Sequence, residues 1–254
     1  MNPSTDRPVR IAGAGPSGLA AAITLARAGR RVAVHEARRD VGARFIGDFQ
    51  VIENHSGPEP VPDLLARMGI EPDFYFRPAT WAAFHDAGGR RTLVRSREPY
   101  AYFVRRGPLD GSLDRGLLGQ AQRLGVEVRF RSRLDPGEAD IVATGPATPD
   151  GLAKEITFET DEPEAIEVFF DHGRSPGGYS YLFILDGVAT FGCAIVADFR
   201  NIDAYFERCL AAAQRARPFD AGRSLRTGYS YMNFHIKDTA TLAGSRYVGE
   251  AGGF

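Results

Sequence analysis

The residues best suited to chemistry lie near the start of the chain, in the segment Gly13-Ala14-Gly15-Pro16-Ser17-Gly18. Glycines at this spacing, between a short apolar strand and a helix, allow a tight turn and let a pyrophosphate approach the backbone. The free N–H groups and the positive dipole end of the following helix attract phosphate. The predicted phosphate-binding residues of this dinucleotide site are Gly13, Gly15, Pro16, Ser17 and Gly18.

An acidic residue follows where a dinucleotide site requires one. Residues 9–12 are predicted to form the first strand, the helix to end near Ala28-Gly29, and residues 32–34 to form the second strand. Glu36 stands about twenty residues beyond the glycines, where its carboxylate can accept both hydroxyls of an adenosine ribose, with Ala37 beside it. This context makes the glycine pattern far more specific than a glycine-rich turn alone.

Two later segments are compatible with the same site. Residues 139–145 form a short apolar strand that ends in Ala143, Thr144 and Gly145, whose small size lets a backbone pass close to a cofactor. Near the end, a strand that begins at residue 246 closes on Gly249 and Glu250 and is followed by glycines, an arrangement in which the acid can accept a sugar or ribitol hydroxyl. A buried strand with a turn, and a frayed terminus, are the plainer explanations of these two segments.

Composition excludes several classes of protein. The 254 residues have a formal net charge of −1 and are 43% hydrophobic, which favours a globular chain with a large core and no nucleic-acid partner. Lys154 and Lys237 are the only lysines, so arginine pairs are interpreted as solvated surface. Cys193 and Cys209 show no metal or redox spacing, and Cys193, in an apolar run, is predicted to be core.

The expected location is cytoplasmic. Residues 1–8 lack the regions of a signal peptide, no stretch is long enough to span a bilayer, and the cysteine usage indicates a reducing compartment. The histidines are scattered without metal-ligand spacing, and none is given a catalytic role. An apolar substrate could still bring the protein into peripheral contact with a membrane.

The remaining patterns alternate between helix and strand. Helices are predicted at residues 63–68, 109–124 and 201–216, and strands at 74–93, 126–130 and through most of 158–196. A parallel nucleotide-binding fold interrupted by antiparallel strands is the simplest account of this order.

Together these motifs resemble the FAD-dependent oxidoreductases with the glutathione-reductase-type fold, specifically the geranylgeranyl-reductase-like branch near the aromatic hydroxylases. Gly13, Gly15, Gly18 and Glu36 match the family's first FAD motif, and 143–145 its alanine-threonine-glycine strand. Residues 249–253 are similar to its second FAD motif, with glutamate in place of aspartate. The resemblance also implies FAD contacts for either Arg105 or Arg106, ahead of the helix at 109–124, and for Arg44, which could equally be a surface arginine.

The resemblance implies an α/β fold, with an FAD/NAD(P)-binding Rossmann-like parallel sheet and an inserted antiparallel β-sheet substrate domain. We predict a discontinuous FAD-binding domain at 1–72, 98–152 and 239–254, and a substrate domain at 73–97 and 153–238. In the family, further helices and a proline-glycine segment follow the second FAD motif. A chain ending at Phe254 is therefore expected to be a truncated form.

The substrate sheet departs from the family signature. Residues 176–184 look like the proline, tyrosine, tryptophan, phenylalanine, proline signature of geranylgeranyl reductases, with Tyr181 replacing tryptophan and Ile184 the last proline. Alternation places Tyr179, Tyr181 and Phe183 on one face, as an apolar wall for a substrate or as an ordinary aromatic core stripe.

The resulting hypothesis is an FAD-dependent oxidoreductase in which NADPH or NADH acts as a transient reductant and hydride passes to a small apolar acceptor, such as an isoprenoid double bond. No acid, base or nucleophile is assigned. The alternatives are an oxygen-using hydroxylase, a nicotinamide dehydrogenase without flavin, and a non-catalytic FAD-binding fragment. A flavin halogenase is disfavoured because the halogenases that resemble this family depend on a lysine early in the chain and on a two-tryptophan sheet motif. Here no lysine precedes Lys154, and Trp81 is the only tryptophan.

Overall fold

The computed structural model describes residues 7–145, 148–221, 223–234 and 246–253. Residues 1–6, 239–245 and Phe254, which belong to the predicted FAD-binding domain, lie outside the described residues, as does His235. The strands are β1 (Val9–Ala12), β2 (Val32–Glu36), β3 (Phe49–Glu53), β4 (Phe76–Ala79), β5 (Trp81–His85), β6 (Arg91–Arg95), β7 (Ala101–Arg105), β8 (Glu127–Phe130), β9 (Ile141–Val142), β10 (Gly151–Glu159), β11 (Ala165–Phe169), β12 (Tyr179–Leu185), β13 (Val188–Ile195) and β14 (Arg223–Met232). The helices are α1 (Pro16–Arg27), α2 (Val61–Met68), α3 (Leu113–Arg123) and α4 (Ile202–Ala216).

A parallel sheet in the order β8-β2-β1-β9 forms the first layer. Near the end of the chain, Tyr247 extends it by a parallel bridge to Val142. The apolar face of α1 packs against this sheet and α3, burying Leu19 and Ile23 in a core with Val34 and Leu117. The sheet therefore brings the start of α1, which follows β1, and the segment around Tyr247 to the carboxyl ends of its strands.

The second layer is a seven-stranded sheet in the order β14-β10-β13-β12-β11-β5-β6. Its pairs are antiparallel, except for the parallel pair of β11 and β5. One face packs against α4, where Phe191 meets Phe206 and the buried Cys193 lies 3.5 Å from Cys209, Sγ to Sγ. The predicted core position of Cys193 is confirmed.

A three-stranded antiparallel sheet, β3-β7-β4, packs on the other face of the seven-stranded sheet. The ring of Phe103 meets the ring of Phe183 edge-on, with centroids 4.8 Å apart. The predicted fold class, a parallel Rossmann-like sheet combined with an antiparallel sheet, is confirmed. The domain limits stay a prediction.

Some element predictions are wrong in detail. The helix predicted at 109–124 begins at Leu113, because Gly111 has a φ of +73° and Ser112 Oγ accepts the N–H of Arg115 as an N-cap. The predicted strand from residue 246 to Glu250 is reduced to the bridge at Tyr247, because Gly249–Ala251 form a 3-10 helix. The patterns also give no indication of β3 and β7.

Within the described ranges, no helix is long and apolar enough to cross a bilayer.

Candidate functional site

Two glycines of the loop between β1 and α1 are required by packing. Gly13 has a φ of +102°, and a Cβ there would collide with the carbonyl oxygen of Ala143. A Cβ on Gly18 would collide with the carbonyl oxygen of Gly13. These contacts hold α1 close to the sheet, and Gly13 also donates its N–H to the carbonyl of His35 at 2.8 Å.

Gly15 is different, because no protein atom lies within 4 Å of the Cβ position there and its φ of −74° suits any residue. It is the N-cap of α1, and that helix has neither a side-chain cap nor an acidic residue in its first turn. The fold itself therefore does not require glycine at this position. An open space in front of an uncapped helix N-terminus fits a phosphate group.

Glu36 lies at the end of β2 beside this loop. Its carboxylate accepts the N–H of Ala14 at 2.9 Å and the N–H of Arg38 at 2.8 Å. The acid is thereby fixed next to the glycine loop.

The other two segments meet the same loop. Ala143 donates its N–H to the carbonyl of Ala12 at 2.7 Å. Gly249 has a φ of +59° and lies against Ser17, whose Oγ a Cβ would strike. Glu250 forms an ion pair with Arg44 at 3.3 Å between Nη2 and Oε2. Segments far apart in sequence therefore converge at one place.

A cavity of about 1030 Å³ connects this loop with the antiparallel sheet. Of the predicted site residues, those that line it are Gly13, Gly15, Pro16, Ser17, Glu36, Ala37, Arg44, Arg106, Ala143, Thr144, Gly145, Tyr179, Tyr181, Phe183, Gly249 and Glu250. Gly18 lies behind the wall, in the packing contact described above. Their assignment as ligand-binding residues stays a prediction.

The structure distinguishes the two arginines between which the sequence left a choice. Arg106 lines the cavity and forms a bidentate pair with the buried Asp114, at 2.9 and 3.1 Å, while Nη1 donates to Gln50 at 2.8 Å. Arg105 does not line the cavity and donates from Nε to the carbonyl of Gly47. Arg106 is the better candidate for contact with a ligand.

A buried carboxyl group, Glu155 of β10, lies in the cavity wall near the aromatic row. Tyr181 Oη donates to its Oε1 at 2.5 Å, and Ser230 Oγ donates to its Oε2 at 2.7 Å. Burial, followed by the charge of nearby Asp48, raises the pKa of Glu155 to about 7, against the lowering effects of both hydroxyls and of Arg106. The carboxyl group can therefore change its protonation state near neutral pH.

A glycine makes this contact possible. Gly192 of β13 pairs with Tyr181 on one side and with Glu155 on the other. A Cβ on Gly192 would collide with the Tyr181 ring. Because Gly192 has no side chain, the phenol ring crosses β13 and reaches the carboxylate two strands away.

The wall of Tyr179, Tyr181 and Phe183, which the sequence predicts to be apolar, therefore contains a polar group where Tyr181 meets Glu155. The rings of Tyr179, Tyr181 and Phe183 follow one another with centroids 6.0 and 4.8 Å apart. Tyr181 is buried with its hydroxyl on Glu155, whereas Tyr179 is 42% exposed. The wall can receive a flat ligand and also offers it a hydrogen-bonding group.

The stability of the protein is expected to report the protonation of Glu155. Because its pKa is raised from the ordinary 4.5 to about 7, the folded state binds this proton more tightly than the unfolded state does. The free energy of unfolding should therefore fall by about 3 kcal/mol as pH rises from 4.5 to 7 and Glu155 ionises, at 1.36 kcal/mol per pKa unit.

Urea unfolding at pH 5 to 8 measures this loss. The Glu155→Gln variant should lack it and become the more stable protein above pH 7. Parallel stability curves for the two proteins would contradict the expected protonation.

Sequence reasoning missed Glu155, Ser230, Gly192 and Asp114. The available signal was an acid in the strand Leu152 to Phe158, on the face that alternation assigns to Ala153 rather than to the buried Leu152 and Ile156. Among the described residues, no cluster of three or more His, Cys, Asp or Glu side chains could hold a metal ion.

Comparisons with known proteins agree with this architecture. The model of the NAD(P)-binding Rossmann-like domain matches residues 11–55, which include the glycine loop and Glu36. No curated protein matches the sequence.

Solved structures match nearly the whole chain. A geranylgeranyl bacteriochlorophyll reductase-like protein from Thermoplasma acidophilum is 16% identical, with a TM-score of 0.68, over 96% of this chain and 71% of that one. PqsL from Pseudomonas aeruginosa, a probable FAD-dependent monooxygenase, is 16% identical, with a TM-score of 0.65, over 96% and 78%. The flavin-dependent halogenase CmlS is 16% identical, with a TM-score of 0.63, over 97% and 53%. The chain therefore has the fold that these proteins share.

Proposed function

We propose that the protein is an FAD-dependent oxidoreductase that acts on a small organic molecule. The observation that carries this proposal is the single cavity that runs from the glycine loop to the aromatic face of the antiparallel sheet. One end has the features of a dinucleotide site, and the other has an aromatic wall with a buried acid. A dinucleotide cofactor bound along this path would have its reactive end beside a substrate.

The residues present fit FAD. The open space at Gly15 and the uncapped N-terminus of α1 suit the pyrophosphate. Glu36 would hold the adenosine ribose and Glu250 a hydroxyl of the ribitol chain, with Arg44 and Arg106 offsetting negative charge. A bound flavin would supply the redox chemistry by taking hydride from a reductant and reducing an acceptor. The protein's own task is to orient the acceptor and exclude water.

NADPH or NADH is the proposed transient reductant, and an isoprenoid double bond is one candidate acceptor. The similarity to the geranylgeranyl bacteriochlorophyll reductase-like protein supports a reductase of this kind. A cytoplasmic location is part of the same proposal.

An FAD-dependent monooxygenase is the second candidate. It is supported by the similarity to PqsL and to 2-methyl-3-hydroxypyridine-5-carboxylic acid oxygenase. The polar point in the aromatic wall also suits a hydroxylated aromatic substrate better than a hydrocarbon chain. Oxygen consumption that depends on NADPH and on a phenolic substrate would favour this candidate, and substrate reduction under argon would favour the reductase.

Flavin retention tests the proposal. The wild-type protein, mixed with FAD and passed through a gel-filtration column, is expected to keep the flavin absorption bands. In Gly15→Ala, the added methyl group occupies the space left for the pyrophosphate. Overpacking of this kind costs about 1–3 kcal/mol, so FAD affinity should fall roughly tenfold to a hundredfold.

Gly57→Ala is the matched control. Gly57 also lies in open space without a positive φ, but it does not line the cavity. Its FAD affinity should equal that of the wild-type protein, and both variants should unfold near the wild-type temperature. Equal flavin retention by the two variants would contradict the assignment of the space at Gly15 to the pyrophosphate. Failure of the folded wild-type protein to retain flavin would contradict FAD binding.

A further inference from the structure

We propose that Glu155, presented by Tyr181 and Ser230, binds the hydroxyl group of a phenolic substrate and takes its proton. This inference rests on the proposed function only in regarding the phenol as the molecule on which the enzyme acts. The site itself is defined by side chains of β10, β12 and β14.

The first argument is the free hydrogen-bonding capacity of Glu155. An ionised carboxylate has about four acceptor positions, and the hydroxyls of Tyr181 and Ser230 occupy one on each oxygen. Glu155 also lines the cavity. Each oxygen therefore keeps a free acceptor position, and the carboxyl group borders the cavity in which a ligand would lie.

The second argument is the cost of this acid to the fold. Its two hydrogen-bond partners are neutral hydroxyls, and Arg106, which acts on it through its charge, is already paired with Asp114. A buried carboxylate held by neutral donors costs several kcal/mol in desolvation, which a glutamine or an apolar residue would avoid. Such costly groups are typical of functional sites.

The third argument concerns the shape of the ligand. The rings of Tyr179, Tyr181 and Phe183 form a row beside the carboxyl group, and flat aromatic ligands pack well on such rows. A ring that lies on this row and carries an O–H group can place that group at Glu155. A hydrocarbon chain would cover the carboxylate without pairing it.

The proton transfer is balanced and needs no further reactant. The phenol O–H bond breaks, its electron pair stays on the phenolate oxygen, and the proton forms an O–H bond with Glu155. The new carboxylic acid then donates a hydrogen bond to the phenolate. A pKa of about 7 suits Glu155 to accept and release this proton at neutral pH.

The test compares the binding of 4-fluorophenol and fluorobenzene, measured by ¹⁹F NMR titration. The wild-type protein is expected to bind 4-fluorophenol roughly tenfold or more tightly, because a hydrogen bond to a charged group is among the stronger ones. In Glu155→Gln most of this preference should be lost, while the affinity for fluorobenzene stays the same. Glu53→Gln is the control, because Glu53 is an exposed acid in the same cavity wall.

A second measurement uses the wild-type protein alone. Its affinity for 4-fluorophenol should rise between pH 6 and pH 8, as Glu155 ionises and becomes the stronger acceptor. The charged or titratable groups that act on Glu155 are Asp48, Arg106, Tyr179 and Tyr181. Burial raises the pKa of Asp48 and of both tyrosines. Because the charge of Asp48 also raises the pKa of Glu155, an Asp48→Asn variant should keep the rise in affinity but show it at lower pH. Loss of the rise in this variant would assign it to Asp48 instead.

Equal binding of the two probes by wild-type protein that retains flavin would overturn this inference and leave the proposed function standing. Phenol binding that depends on Glu155 in protein that retains no flavin would support the site and contradict the proposed function. A phenol preference that survives in folded Glu155→Gln, or an affinity that does not change with pH, would also overturn the assignment to Glu155.

Discussion

A Gly13→Ala variant is expected to lose about 4 kcal/mol or more of unfolding free energy, a size of effect that only a few mechanisms produce. Two costs combine at this position. A φ of +102° strains any residue with a Cβ, and the added methyl group would collide with the carbonyl oxygen of Ala143. Because that oxygen belongs to the backbone next to β9, the clash cannot be relieved by a side-chain rotation.

Chemical unfolding measures this loss, and Gly29→Ala is the control. Gly29 also has a positive φ, of +75°, but no protein atom lies within 4 Å of its Cβ position. Its replacement should cost only the strain, about 1–2 kcal/mol. Similar losses of unfolding free energy in the two variants would mean that the close contact between Gly13 and Ala143 adds nothing to the cost of replacing Gly13.

The nucleotide half of the site is predictable from sequence because its signals are local. The turn glycines, α1 and Glu36 lie within one strand-helix-strand unit, and their spacing alone defines their roles. The structure adds that Gly13 and Gly18 serve packing, whereas the space beside Gly15 is open. The order of the glycines in the pattern already predicts this division, with Gly13 for the turn, Gly15 for the approach of the pyrophosphate and Gly18 for close packing of the helix.

The substrate half is less predictable because its contacts are distant in sequence. Glu155 meets Tyr181 and Ser230 across 26 and 75 residues, and it depends on a glycine of the intervening strand. Alternation correctly puts Tyr179, Tyr181 and Phe183 together on one cavity wall, but it says nothing about what faces them. The strands β3 and β7 are also missed, since their pairing joins residues about fifty positions apart.

Asp114→Ala is expected to be the other variant with a large effect. The carboxylate of Asp114 is fully buried and accepts two hydrogen bonds from Arg106 and one from the N–H of Gly107 at 2.9 Å. Its removal leaves the partly buried guanidinium of Arg106, whose side chain is 11% exposed, without its counter-charge, which costs about 3–5 kcal/mol. At about 2–4 °C per kcal/mol for a chain of this size, the melting temperature should fall by about 10 °C.

Calorimetry of three further variants shows whether the unpaired charge causes this loss. Asp110→Ala removes an exposed acid from the loop before α3 and should change stability by no more than about 0.5 kcal/mol. The double variant Arg106→Met with Asp114→Leu removes both charges and should be more stable than Asp114→Ala.

The double variant should still bind FAD more weakly than the wild-type protein, because Arg106 lines the cavity. If Arg106→Met alone lowers FAD affinity as much as the double variant does, Arg106 acts on the ligand and Asp114 acts by holding it in place.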